Sequence, residues 1–174
     1  MAEEIVYNFR NSAELYEAAI DLHDKENMQQ KETWIYSLNS LERIDNITRT
    51  GEFIVIKRDG RIIGIISYKK GTSFRSFQGD IQKLPADWEI CGLLIHQHYR
   101  GKGYAKQLFK AAMRRLRERG ATHAYAIITG VFDEGKKGEV REISKPAESL
   151  CRGFGSQVVG FGKHSWGPVY RVPL

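Results

Sequence analysis

The residues with the clearest capacity for chemistry are Arg100-Gly101-Lys102-Gly103-Tyr104-Ala105. Two alternate glycines let a backbone turn tightly and approach a ligand with no side chain between them. The apolar spacing that follows predicts a helix from Gly103 to Arg119, and the first N–H groups of a helix lack intrahelical partners. Those donors and the positive end of the helix dipole suit a phosphate or pyrophosphate. Arg100, Lys102 and Lys106 add full charges around them. A P-loop needs four residues between its first glycine and Gly-Lys-Ser/Thr, and no such run exists. A dinucleotide fingerprint needs a third glycine where Lys106 stands and normally follows an early strand. The segment therefore reads as a polyphosphate cradle of another kind.

Charge gathers on the same element. The 174 residues carry a net +6, yet His98 to Arg119 alone holds eight basic residues against Glu118. That segment sums to +7 and the remainder to −1. A solvated basic helix face is the ordinary reading; a binding site for a compact polyanion is the sharper one. With 41% hydrophobic and 11% aromatic residues the chain is no disordered polymer. Its length suffices for one core, so a single domain over 1–174 is expected. Cys91 and Cys151 are too few for a disulfide framework. No window approaches the ~18 apolar residues of a membrane span. The acidic opening Met1-Ala2-Glu3-Glu4 is unlike a signal peptide. A soluble cytoplasmic protein is the expectation.

The elements that must position the cradle follow from spacing. Glu4 to Phe9 predicts a strand, and Asn11 with Glu14 a capped helix burying Leu15, Ala18, Ala19 and Leu22. A second helix is expected around Trp34, Ile35, Leu38 and Leu41, ending near Thr48 to Gly51. Phe53 to Ile56 and Ile62 to Ile66 flank Asp59-Gly60, the dipeptide of a tight two-residue hairpin. Lys70 to Asp87 reads as a loop broken by Gly71, Gly79 and Pro85. Trp88 to Ile95 is apolar on both faces, as an interior strand should be. On the basic helix Ala105, Leu108, Phe109, Ala112 and Leu116 form one stripe, and Gly120 ends it. Ala124 to Thr129 predicts a strand, and Gly130 to Lys145 a polar loop with room for a small hairpin. Ala147 to Phe154 predicts a short helix, with strands at Gln157 to Phe161 and Val169 to Val172.

The string from Leu93 to Ala105, with its Arg100-x-x-Gly103-x-Ala105 core, resembles the acyl-coenzyme A pyrophosphate loop of the GNAT superfamily. These are the N-acetyltransferases related to histone acetyltransferases. The preceding hairpin and the following strand and short helix match that family's order, so the resemblance spans nearly the whole chain. It implies a mixed α/β fold: a central sheet of six to seven strands with helices on both faces. It implies an acetyl-CoA-dependent N-acetyltransferase acting by direct attack of a primary amine. Backbone N–H groups of Arg100, Gly101, Lys102, Gly103, Tyr104 and Ala105 would hold the pyrophosphate. The backbone of Leu93, Leu94 and Ile95 would pair with the pantetheine arm, and one N–H there would polarise the thioester carbonyl. The excess positive charge would face the anionic cofactor.

Glu89 is the leading candidate base, six residues before Ile95 on the same strand. The histone-acetylating branch carries its glutamate there, and an apolar strand should raise the carboxyl's pKa. Exposure at a strand end, or pairing with an arginine, is the plainer reading of the same residue. Cys151 stands where the family's general-acid tyrosine usually lies, Ser156 where a phenylalanine follows Gly155, and Ser144 where an asparagine is usual. A thiol can donate a proton, but a small core residue is the favoured reading of Cys151. Tyr125 and Tyr170 are substitutes that spacing does not rank. The departure at Cys151 motivates a rival: a catalytically weak acyl-CoA-binding sensor or assembly module.

Other constellations are weaker. His96 and His98 lack a third metal ligand at a supporting spacing, and Cys151 with His164 lacks a nucleophile motif. Phe74 and Phe77 either line an acceptor pocket or pin their loop. Asp80, Asp87, Asp133, Glu134, Glu139 and Glu142 would suit a cationic acceptor. The basic helix lacks the spaced stacking aromatics of a nucleic-acid surface, so nucleic acid ranks last among partners. The resemblance also implies a homodimer through the C-terminal strands.

Overall fold

A computed structural model describes residues 2–22, 38, 40–127, 130–132, 140–143, 145–163 and 167–174. In chain order the elements are β1 (Glu3–Val6), α1 (Ser12–Leu22), α2 (Leu41–Thr50), β2 (Glu52–Arg58), β3 (Arg61–Ser76) and β4 (Ile81–Ile95). A 3-10 turn at Gln97–Tyr99 leads to α3 (Tyr104–Glu118), β5 (His123–Ile127), β6 (Gly130–Phe132) and β7 (Val140–Ile143). The chain closes with α4 (Lys145–Gly153), β8 (Gln157–Gly162) and β9 (Pro168–Pro173). Strand pairing follows the order β1-β2-β3-β4-β5-β9-β8, seven strands, with β6 and β7 as a separate antiparallel pair. This is the expected mixed α/β class. Contacts divide the chain into two compact units, Met1–Lys69 with Cys91–Arg115 and Lys70–Ile90 with Leu116–Leu174.

The first unit grows from the Asp59-Gly60 turn. Both residues have positive φ, 51° and 77°, as a type I′ hairpin requires. β2 pairs with β3 from Glu52↔Tyr68 to Arg58↔Arg61, and β1 adds antiparallel to β2 from Glu3↔Arg58 to Val6↔Val55. β1 is shorter than expected because Asn8 turns away at φ 51°, its N–H given to Glu52. Alternation along the strands sorts the two faces. Phe53, Val55 and Ile65 share a core with Leu15, Ala19 and Leu22 of α1 and Ile44 and Ile47 of α2. On the other face Ile54, Ile56 and Ile66 are fully buried, and α3 approaches so closely that a Cβ on Gly64 would lie 3.0 Å from Leu108 Cδ1. Asn11 caps α1 as predicted, accepting the Glu14 N–H at 3.1 Å. The described α2 is capped by Ser40, which accepts the Arg43 N–H at 3.3 Å. Trp34 and Ile35 lie outside the described residues.

One buried ion pair fixes α3 in this unit. The Glu52 side chain is fully buried and receives Arg115 Nε at 3.2 and 3.1 Å, the Asn8 N–H at 2.7 Å and the Tyr68 hydroxyl. Removing one partner of a buried pair strands the other charge. Arg115 is a third exposed and Glu52 keeps two other donors, so Arg115→Met is expected to lower unfolding stability by about 1–2 kcal/mol, less than for a fully buried pair, as read by urea denaturation. An unchanged midpoint would show that the remaining donors suffice.

The second unit corrects the loop expected over residues 70 to 87. β3 runs on to Ser76 and β4 starts at Ile81, joined by a turn in which Ser76 N–H donates to Asp80 O at 2.8 Å. The breakers Gly71 and Pro85 sit opposite one another, a Cβ on Gly71 being 3.8 Å from the Pro85 carbonyl. Gly71 lies inside β3 with a left-handed φ of 86°, and Pro85 lies inside β4, so both breakers interrupt strands rather than make a loop. β3 also pairs with β8 at Phe74↔Gly162 to Ser76↔Gly160. With β4–β5, β5–β9 and β9–β8 pairings, this closes a ring of five strands. Phe74 is buried against Tyr125, centroids 5.4 Å apart, whereas Phe77 is 60% exposed beside Phe161. The small hairpin allowed within 130–145 is the β6–β7 pair.

Candidate active site

The glycine loop lies in the first unit, between β4 and α3. Gly101 and Gly103 have φ of 74° and 88°, and no atom lies within 4 Å of a Cβ built on either. Side chains are thus excluded there by backbone conformation rather than by neighbours, and the space before the helix is open. Gln107 N–H donates to Gly103 O at 3.1 Å as the first helical bond, so by helix geometry the amides of Tyr104 to Lys106 precede the ladder. Gly101, Lys102 and Gly103 are exposed and Tyr104 is buried. The Tyr104 hydroxyl donates to Glu3 Oε1 at 2.6 Å; that hydrogen bond first, and desolvation second, raise the phenol's pKa. Glu3 also meets Arg58 at 3.3 Å, so β1 and β2 anchor the helix start.

Arg100 departs from its expected part. Its N–H donates to Gln97 O at 3.4 Å and its Nε to Ile95 O at 3.0 Å. It is a strut tying the loop to the end of β4, and the amides left to a ligand are those from Gly101 onward. Lys102 Nζ and the Arg58 guanidinium each lie 5.4 Å from the Tyr99 ring, bringing two cations beside the loop.

The last residues of β4 carry an irregular ladder. Gly92 has φ 67°, and the Cys91 carbonyl accepts the fully buried Ser67 hydroxyl at 2.9 Å. The parallel register with β5 covers Glu89↔Tyr125 and Ile90↔Ala126. Leu93, Leu94 and Ile95 lie beyond that register. Leu94 packs on the α1–α2 core while Ile95 reaches the Gly64 side of the sheet, 2.9 Å from its Cβ position. A glycine inside an interior strand was the available signal for this irregularity.

Glu89 and Cys151 belong to the second unit. Glu89 is half-buried and accepts the Thr72 hydroxyl at 2.6 Å. Thr72 was hidden from sequence reasoning by the loop assignment. Cys151 is 3% exposed, and burial pushes its thiol up to about 11. Tyr125 is buried between Phe74 and His123. Tyr170 is buried and hydrogen-bonded to Arg152, which holds that guanidinium's pKa up. His164 and Ser144 lie outside the described residues.

The basic segment divides its charge. Arg115 is held by Glu52, Arg114 lies on Tyr7, and Arg119 sits 5.6 Å from the Trp88 ring. The expectation that the whole excess faces one ligand is therefore corrected, since Arg114, Arg115 and Arg119 meet partners within the protein. Lys102 and Lys106 at the helix start are exposed. Among the described residues no group of His, Cys, Asp and Glu could hold a metal, and no helix is long and apolar enough to cross a membrane.

A mixed sheet whose interior strand feeds a left-handed glycine loop and a basic helix presents helix-start amides and cations suited to an anionic ligand. The model of the Acetyltransferase (GNAT) family matches residues 13–138, more than half of the chain. The chain belongs to that family. No curated protein matches it by sequence. Among solved structures it is similar to an acetyltransferase of the GNAT family from Staphylococcus aureus Mu50, at 16% identity over 99% of both chains with a TM-score of 0.67. It is similar to the PaiA N-acetyltransferase of Thermoplasma acidophilum in complex with coenzyme A, at 16% identity over 100% of both chains with a TM-score of 0.66. A ribosomal-protein-alanine N-acetyltransferase from Brucella melitensis aligns at 19% identity over 97% of this chain and 99% of its own, TM-score 0.60. At these identities the likeness is one of fold.

Proposed function

We propose that this chain transfers an acetyl group from acetyl-CoA to a primary amine of a small molecule, peptide or protein, residues 1–174 acting as one domain. The observation that carries the reading is the open, left-handed Gly101–Gly103 loop at the start of α3. Acetyl-CoA supplies an activated acetyl thioester. The amides of Gly101 to Ala105 hold its pyrophosphate, assisted by Lys102 and Lys106. The backbone of Leu93, Leu94 and Ile95 takes the pantetheine arm as an added strand, and an N–H there stabilises the carbonyl oxygen as charge develops. Glu89 accepts the proton that the amine loses. Thiol release from acetyl-CoA, measured with a free-amino-terminal peptide, an Nα-blocked lysine and a diamine, tests this reading. Turnover with at least one is expected.

Cys151 is better read as packing than as the acid. A thiol at about 11 is a weaker acid than the ordinary thiol, near 8.5, that it would have to protonate. Cys151→Ala is expected to keep kcat within about threefold, whereas a general acid would be worth roughly 10²-fold or more. A large loss of kcat with unchanged folding would restore the thiol to the mechanism. The same buried Cys151 favours one second reading, a catalytically weak acyl-CoA sensor; tight CoA binding without turnover of any amine would decide for it.

A further inference from the structure

Glu89 shares its strand face with a hydroxyl that the backbone has turned toward it. Thr72 Oγ1 donates to Glu89 Oε2 at 2.6 Å, and Thr72 is only 7% exposed, so water competes poorly for the contact. Lys70, two residues earlier, instead places Nζ 5.3 Å from the Trp88 ring. Residues 88 and 89 point to opposite faces of β4, and residues 70 and 72 of a regular strand would share one face. The change of face falls at Gly71, whose φ is 86°. A left-handed glycine in a ladder inserts a bulge that re-aims the side chains beyond it. Phe74, the next residue on the new face, packs on Tyr125, the register partner of Glu89.

We infer that Thr72 is a positioning residue for the base: the Gly71 bulge turns its hydroxyl onto Glu89, holding that carboxylate in the orientation and charge state proton transfer requires. The inference rests on the reading of Glu89 as the base. A donor to the charged form favours ionisation. Other groups face the same side. Asp87 precedes Glu89 by two residues on β4 and meets His123 of β5 at 3.4 Å. Tyr125 lies opposite on β5, and Arg171 of β9 is in register with Tyr125.

Thr72→Val removes the hydroxyl and keeps the shape; Thr72→Ser keeps the hydroxyl. Two readouts separate the steps. One is the carbon-13 titration of the Glu89 carboxyl, assigned by its disappearance in Glu89→Gln. The other is the acid limb of kcat/KM for thiol release from acetyl-CoA with the amine that turns over. Thr72→Val is expected to raise the titration midpoint by about one unit, to move the acid limb by the same amount, and to lower kcat about tenfold. Thr72→Ser is expected to restore all three. An unmoved midpoint in Thr72→Val overturns the contact, and a raised midpoint with an unmoved acid limb overturns the positioning role. Failure of the underlying reading is distinct: Glu89→Gln would then turn over at the wild-type rate.

Discussion

Glu89→Gln is expected to lower kcat for thiol release by roughly 10²- to 10⁴-fold, the range a positioned general base contributes, while CoA affinity stays within about twofold. An amine must shed a proton as it bonds to the acyl carbon, and an amide side chain of nearly the same shape cannot take it. Gln keeps an acceptor for the Thr72 hydroxyl, so that contact survives the substitution. The loop proposed to hold CoA, Gly101 to Ala105, does not include Glu89, so affinity is expected to be spared. Steady-state kinetics alongside a CoA titration reads both quantities. Loss of affinity with kcat preserved would assign Glu89 to binding instead.

Gly103→Glu is expected to weaken CoA binding by at least about 100-fold. The substitution combines two effects that a control separates. At φ 88° any side chain is strained, at a cost of roughly 1 kcal/mol. Gly103→Ala carries that cost alone, since its Cβ meets no atom within 4 Å, and should weaken binding only modestly. Glutamate adds bulk and a negative charge where the first α3 amides would meet a phosphate, so its carboxylate takes the place of the anion the helix end favours and repels the phosphate. The melting temperature without ligand should fall in both variants, and less in Gly103→Glu, whose carboxylate interacts favourably with the helix end. The rise in melting temperature with added CoA should survive in Gly103→Ala and vanish in Gly103→Glu.

Much of this was legible before any coordinates. The Asp59-Gly60 turn, the Asn11 cap and the stripe on α3 are local signals, and each specifies its element within a residue or two. The glycine loop was equally legible, because left-handed backbone has few sequence solutions. What escaped was non-local. Gly71 and Pro85 read as a loop in isolation; only their opposition across one long hairpin places them inside strands, where Thr72 reaches Glu89. Arg115 looked like one more cation on a solvated face until β2 supplied Glu52 from 63 positions away. Cys151 is buried, which accords with its reading as a small core residue.

Titration calorimetry of CoA against pantetheine tests the diphosphate cradle most directly, since the smaller compound keeps the thiol arm and lacks the phosphates. The account predicts saturable CoA binding at one site per chain, with pantetheine at least about 100-fold weaker. Equal affinities for the two, or no heat with CoA, would contradict it.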